Sequence, residues 1–391
     1  MSSFDLTPAL QVALVGLLLA SPVLLWQHLR HRGAPLPERL RALTWLTVFL
    51  TFDLVLFGAF TRLSDSGLGC PDWPGCYGSA SPLGAHAEIS SAQAAAPHGP
   101  VTHGKAWVEM IHRYLASGVG LLTLILMIAS WRGARGPRRA AGVSPGWATL
   151  SFAWVCMQGA FGALTVTLKL YPLVVTLHLL GGVGLLALLV VQAQRLDGRA
   201  PLRLPGATRA AAGAVFGLCV AQVALGGWVS ANYAVLACRD FPTCHGQWWP
   251  DMDFRQGFTL LRELGMSADQ GYLPYNALVA IHWTHRMGAL LVFLGAGALA
   301  LRLWRVTGPA ARRFALGLAG LLAWQFASGL SNVVLGWPLL AALAHTAGAA
   351  ALIAWLALLL ARSGAAAGTA PAGAVATAGP TAFLESRPHH V

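Results

Sequence analysis

Cys70-Pro71-Asp72-Trp73-Pro74-Gly75-Cys76-Tyr77-Gly78 returns 168 residues later as Cys238-Arg239-Asp240-Phe241-Pro242-Thr243-Cys244-His245-Gly246. The same offset carries Gly58 onto Gly226. An offset of 167 carries Gln158 and Gly162 onto Gln325 and Gly329, and His178 onto His345, while His112-Arg113 meets His285-Arg286 at 173. A long period that holds through loops and apolar stretches alike marks an internal duplication.

The repeated unit is membrane-spanning. Of the 391 residues 56% are hydrophobic and only 10% charged, with a mean hydropathy of +0.61, whereas a soluble domain carries roughly a quarter charged residues. Apolar blocks run at 8–26, 43–60, 107–130, 147–168, 172–192, 210–230, 276–301, 314–335 and 338–360, each near the ~20 residues that cross a bilayer. The last eight divide into two sets of four. An even number of crossings brings each copy in from the same side, so the repeat is parallel, about an axis along the membrane normal. The expected fold is all-α and polytopic: two pseudo-symmetric four-helix transmembrane bundles plus an extra N-terminal transmembrane helix. The expected divisions are 1–42 for the anchor helix and a cytoplasmic loop, 43–192 for the first bundle, 193–209 for a cytoplasmic linker, 210–360 for the second bundle, and 361–391 for a disordered cytoplasmic tail.

The formal charge of +12 would suggest nucleic acid in a soluble protein, but its placement gives another reading. Arg30, Arg32, Arg39, Arg41; Arg132, Arg135, Arg138, Arg139; Arg195, Arg199, Arg203, Arg209; and Arg302, Arg305, Arg312, Arg313 cluster at four alternate connections. Those connections are cytoplasmic by the positive-inside rule, and no nucleic-acid partner is expected. The long connections 61–106 and 231–275 then lie outside, as does the N-terminus. Met1 to Asp5 has no positive region before the first block, so that block reads as an anchor rather than a cleaved signal. The Ala/Gly/Pro/Thr-rich C-terminus, with His389 and His390, reads as solvated chain.

Ionisable side chains inside a membrane are costly and need a reason. His112 and His178 fall at one depth in the first set of spans, roughly 10 Å below the outer surface at 1.5 Å per residue. His285 and His345 repeat the arrangement in the second set. Two imidazoles facing each other in a four-helix bundle suit bis-histidine ligation of haem iron; the alternative is interhelical hydrogen bonding. Arg113 and Arg286 are candidates for haem propionates or for snorkelling to headgroups. Glu109, one turn before His112, is a candidate proton-handling group or simply a partner for Arg113. Its counterpart His282 is a rival ligand to His285. Cys156 and Cys219 lie within spans and read as packing residues. Cys70 with Cys76, and Cys238 with Cys244, are candidate local disulfides in the outer loops, with a four-thiolate zinc site as the alternative.

The run from Gly58 to Cys76, the motif Glu109-Met110-Ile111-His112-Arg113, the stretch Gln158 to Val166, His178 and Thr284-His285-Arg286 together resemble the haem A synthase family over about residues 43–360. The resemblance implies oxidation of the C8 methyl of haem O to a formyl group by successive hydroxylations, giving haem A for terminal oxidases, and one resident haem b. It implies that His112 and His178 hold the substrate porphyrin near catalytic Glu109, and that His285 and His345 hold haem b. It also implies disulfides at Cys70–Cys76 and Cys238–Cys244, a bacterial inner-membrane location, and haem O synthase and oxidase-assembly factors as partners. The extra N-terminal helix departs from the family's eight spans. A bis-histidine iron leaves no open position for oxygen, so either a ligand leaves during turnover or water supplies the oxygen. The rival readings are a quinol-linked di-haem b-type electron carrier, disfavoured because all four histidines lie toward one side, and a non-catalytic haem-binding assembly protein.

Overall fold

The computed structural model describes residues 7–135, 143–198, 200–267 and 271–365. Among them run α1 (Thr7–Arg30), α2 (Leu36–Leu63), α3 (His86–Ala95), α4 (His103–Arg135), α5 (Pro145–Thr167), α6 (Pro172–Arg195), β1 (Leu202–Leu204), α7 (Gly206–Ala231), α8 (Phe254–Gly257), α9 (Tyr275–Arg305), α10 (Pro309–Val334), α11 (Leu339–Arg362) and β2 (Ser363–Ala365). All of these helices except α3 and α8 are long and apolar enough to cross a membrane. The chain is an all-α, multi-pass membrane protein, and the described residues contain the nine spans expected.

Proline sets most of the starts. It occupies the first turn of α2, α5, α6 and α10 and the N-cap of α7, α9 and α11, where its fixed φ suits the helix and its missing N–H leaves no orphan donor. Several stops are repeated too. The chain leaves α2 through Asp65 at φ 51° and α7 through the equivalent Tyr233 at φ 54°.

The first bundle is a closed ring in which α2 packs on α4, α4 on α5, α5 on α6, and α6 back on α2; α7, α9, α10 and α11 form the second ring in the same order. The diagonals are therefore α4 with α6, and α9 with α11. The rings meet through α2 and α6 on one side and α7 and α11 on the other. Val183, Leu186 and Leu189 of α6, Val215 and Cys219 of α7, and Leu352, Ile353 and Leu356 of α11 share one apolar core there. Lipid tails are as apolar as these side chains, so close packing rather than water exclusion holds such a seam. Helix α1 lies outside the rings against α4, where Gly16 sits so near Ser117 that an added Cβ would come within 2.7 Å of the serine's. Its Val12 also joins Cys70, Cys76, Ile89, Met110 and Tyr114 in a core beneath the connection between α2 and α4.

At the end of the rings that carries the long connections the two copies touch at equivalent positions. Arg62 Nη2 donates to the Ser230 carbonyl at 2.6 Å, and the Tyr233 hydroxyl donates to Asp65 Oδ1 at 2.8 Å, both across a separation of 168 residues. A residue that touches its own counterpart lies on the pseudo-two-fold axis. The Arg62 guanidinium also sits 4.0 Å from the Tyr233 ring centroid. Burial pushes the Tyr233 hydroxyl above its ordinary value, with Arg62 opposing it.

Three expectations change. The apolar blocks are shorter than the helices: α4 has 33 residues and α9 has 31, roughly 50 Å of helix against a hydrocarbon core of about 30 Å. Arg39, Arg41, Arg132, Arg135, Arg195, Arg302, Arg305, Arg312 and Arg313 consequently sit in helix ends rather than in loops. The segment 361–365, expected to open a disordered tail, instead ends α11 and forms β2, paired in parallel with β1 from Leu202↔Ser363 to Leu204↔Ala365. Backbone hydrogen bonds there supply the order that composition gave no reason to expect. Residues 366–391, with His389 and His390, lie outside the described residues, as do Arg138, Arg139 and Arg199.

Candidate functional site: two histidine pairs beneath disulfide loops

His112 on α4 and His178 on α6 project from one diagonal of the first ring, and His285 on α9 and His345 on α11 from the same diagonal of the second. The other diagonal carries glycine. A Cβ built on Gly58 of α2 would stand 3.0 Å from His112 Nε2, and one on Gly162 of α5 would stand 3.6 Å from His178 Cε1. In the second ring a Cβ on Gly226 of α7 would stand 3.1 Å from His285 Cε1, and one on Gly329 of α10 would stand 3.1 Å from His345 Cε1. Each imidazole therefore occupies the space that a side chain on the neighbouring helix would take. Gly329→Val is expected to push His345 from its position; loss of a bis-histidine optical spectrum in the purified protein checks this.

The spacing fits a shared metal. The His285 and His345 ring centroids lie 6.5 Å apart with planes at 82°. Two imidazoles on opposite sides of one ion, with metal–nitrogen bonds of about 2 Å, place their centroids roughly 6 Å apart. His112 is stacked on Phe57 at 6.4 Å and 11°, and His178 Nδ1 is buried with no partner. A haem between the members of each pair would be held through one nitrogen of each ring.

Above each pair sits a loop closed by a disulfide, Cys70–Cys76 in the first bundle and Cys238–Cys244 in the second. The four-thiolate arrangement is not formed. Asp72 accepts the backbone N–H groups of Tyr77 at 2.6 Å and Gly78 at 2.7 Å. Asp240 accepts those of His245 at 2.7 Å and Gly246 at 2.9 Å, and the Thr243 hydroxyl at 2.6 Å. Tyr77, Gly78, His245 and Gly246 all have positive φ, the curled backbone that turns successive N–H groups toward one carboxylate.

Thr243 and the two N–H groups hold the Asp240 carboxyl well below the usual carboxylate range. A depressed value stabilises the loop above the unfolded pKa of about 4, and that contribution is lost as pH falls through the folded value. Pepsin cleavage of the second loop is expected to accelerate in the wild type only as pH drops below about 4. Asp240→Asn is expected to be cleaved quickly throughout the acid range.

The arginines after the histidines hold the loops down. Arg113 Nη1 donates to the carbonyls of Asp72 at 2.9 Å and Pro74 at 3.2 Å and to that of Gly75. Its Nη2 pairs with Glu109 Oε1 at 2.5 Å, with both side chains buried. Glu109 Oε2 accepts the Cys70 N–H at 2.8 Å. Arg286 repeats this on the carbonyls of Asp240, Thr243 and Cys238, each at 2.8 Å. His282 takes the place of Glu109. The Cys238 N–H points at its Nδ1 at 3.2 Å, and Arg286 Nε at its Nε2 at 3.3 Å. A neutral imidazole accepts at only one nitrogen, so only one of these two bonds forms at a time, and the Ala234 backbone carbonyl is an acceptor for the other ring N–H.

The sequence reading named these arginines for propionates or headgroups and did not include the loop carbonyls. It also missed Gln222, whose Nε2 lies 3.0 Å from His285 Nδ1, and Ser328, whose Oγ lies 3.1 Å from His345 Nδ1. Both stand beside a glycine already used to align the copies, so a comparison of the two copies would have found them. Asp53, an ionisable residue within α2, was also passed over.

Comparison with known proteins gives the chemistry a family. Residues 41–357 match the COX15-CtaA model, described as cytochrome oxidase assembly protein. A haem A synthase of Shewanella oneidensis is 40% identical over 326 residues, covering 80% of this chain and 93% of its own length. One from Methylorubrum extorquens is 31% identical, covering 85% and 89%, and one from Rhizorhabdus wittichii 28%, covering 84% and 95%. Paired intramembrane histidines, duplicated bundles and these matches agree: the chain belongs to the haem A synthase family of cytochrome oxidase assembly proteins.

Proposed function

We propose that the chain oxidises the C8 methyl of haem O to a formyl group, with the first bundle as the substrate site. The observation that carries this reading is the pairing of His112 and His178 across one diagonal, beneath a loop whose Cys70 N–H and whose clamp Arg113 both meet Glu109. His112 and His178 bind the substrate porphyrin, and Glu109 holds or moves a proton at its Oε1 or Oε2 beside the reacting edge. The glycines of the other diagonal leave room for the two imidazoles, and the disulfide loop covers the outer side of the site. In the second bundle His285 and His345 hold haem b, which supplies electron transfer when bound. His285 is favoured over His282 by its position opposite His345. Arg113 and Arg286 remain candidates for the propionates, through guanidinium hydrogens that the loop carbonyls leave unused.

The protein acts in the bacterial inner membrane with its N-terminus and disulfide loops outside and its tail in the cytoplasm. The first bundle occupies about 43–192 and the second 210–360. Haem O synthase and oxidase-assembly factors are its expected partners. The test is mass spectrometry of haems extracted from membranes that make haem O, with and without this protein. Hydroxymethyl and formyl haems are expected only with it. Unmodified haem O from a folded, haem-loaded protein would overturn the reading in favour of an electron carrier.

A further inference from the structure

The two histidine pairs differ in what stands behind them. A ligating imidazole presents one nitrogen to the metal, and the partner of the other nitrogen fixes the ring's rotation and tautomer and raises its basicity. In the second bundle both rings have such a partner. Ser328 Oγ is 3.1 Å from His345 Nδ1, and the Gln222 amide is 3.0 Å from His285 Nδ1. As placed, the amide nitrogen also donates to the His285 carbonyl at 2.9 Å, and Gln222 Oε1 is buried without a partner. The amide nitrogen thus bridges the ring and the backbone of one residue and fixes the rotation of the His285 imidazole.

In the first bundle no corresponding support is seen among the described residues. His178 Nδ1 is buried without a hydrogen bond, and His112 is met by the Phe57 ring and by Gly58. The duplication locates the cause. At the offset of 168 Gln222 corresponds to Leu54, and at 167 Ser328 corresponds to Phe161. Neither Leu54 nor Phe161 has a side chain able to make a hydrogen bond.

We propose that Gln222 and Ser328 are positioning residues that make the second site a permanent haem holder, and that Leu54 and Phe161 keep the ligands of the first site exchangeable. The proposal rests on the reading that each pair ligates a haem, and it adds a physical reason for which haem stays and which is turned over. A substrate porphyrin must enter and leave, and a loosely held imidazole can also release the iron during oxidation. A cofactor that only passes electrons gains from two fixed ligands.

The test uses full-length protein purified from membranes that make haem b but not haem O, mixed with excess apomyoglobin to capture released haem. Ser328→Ala and Gln222→Leu are each expected to release haem about 10- to 100-fold faster than wild type, the usual loss for such outer partners. Helical content should be unchanged. Ser328→Thr, which keeps a hydroxyl, is expected to restore the slow rate. The double variant Leu54→Gln, Phe161→Ser is expected to retain more porphyrin in the first bundle when haem O is present. Release rates within twofold of wild type for both Ser328→Ala and Gln222→Leu would overturn the proposal, as would equal acceleration by Ser328→Thr, which would assign the effect to packing. His345→Ala separates the two levels of argument. If it keeps the resident haem with an unchanged low-spin spectrum, the ligand assignment fails instead.

Discussion

Membranes that make haem O and carry His112→Ala are expected to yield haem O with no hydroxymethyl or formyl product. Loss of an outer partner of a metal ligand typically costs 10- to 100-fold in affinity or activity, so loss of the ligand itself sets a floor of about 100-fold. His112 has no substitute in the first bundle: its helical neighbour Glu109 is engaged by Cys70 and Arg113. Glu109→Gln keeps one acceptor oxygen, enough for the Cys70 N–H or for Arg113 but not both, so it is expected to be less stable and, per folded protein, to lose about 100-fold or more in product formation, as removal of a general acid or base does. Full activity in a folded Glu109→Gln protein would reduce the carboxylate to a structural partner of Arg113. Haem mass spectrometry on both variants, normalised to folded protein, reads the two outcomes directly.

The second large effect is on stability. Arg113→Ala would leave Glu109 as a buried, uncompensated charge and free the three carbonyls of the first disulfide loop. Removing one partner of a buried ion pair costs about 3–5 kcal/mol, enough to unfold many proteins outright. The variant is expected to lose most of its thermal stability in detergent, measured by loss of the monodisperse species on heating. Arg113→Lys is expected to recover little, since one ammonium cannot reach along the row of carbonyls that the planar guanidinium spans. Arg286→Ala should be milder, because its counterpart His282 can remain neutral. Equal losses at 113 and 286 would show that the carbonyl clamp, not the ion pair, dominates.

The spans and the duplication were legible because both are written in long, redundant signals: blocks of about twenty apolar residues, and a loop motif that occurs twice. The histidines were legible because an ionisable group in an apolar block is conspicuous. Helix α3 was not, since of its ten residues only Ile89 is a buried hydrophobic and no apolar stripe marks it. The three-residue strands β1 and β2 are too short for any pattern. Hydropathy also ends where hydrocarbon ends, so it could not see the turns that carry α4 and α9 beyond the bilayer. The clamp was hidden for a different reason. Backbone carbonyls have no sequence signature, so Arg113 and Arg286 were matched to a ligand when their nearest acceptors belonged to the chain itself. The support behind His285 and His345 required comparing the copies for their differences, whereas an alignment of repeats looks for likeness.

The contacts of Arg62 with Ser230 and of Asp65 with Tyr233 join positions equivalent in the two halves. Two separate half-length chains placed about that axis would meet in the same self-complementary way, each presenting one patch to the other, as in a two-fold homodimer. Four crossings per half would insert both chains in one orientation, so joining them needs only one connection, at the end of the bundles where β1 now lies. Joining removes the constraint that identical subunits impose. In a homodimer any change at one haem site appears at both; in the fused chain Glu109 and His282, or Leu54 and Gln222, are free to differ. A chain built from two such halves can thus differ at its two histidine pairs while keeping one scaffold.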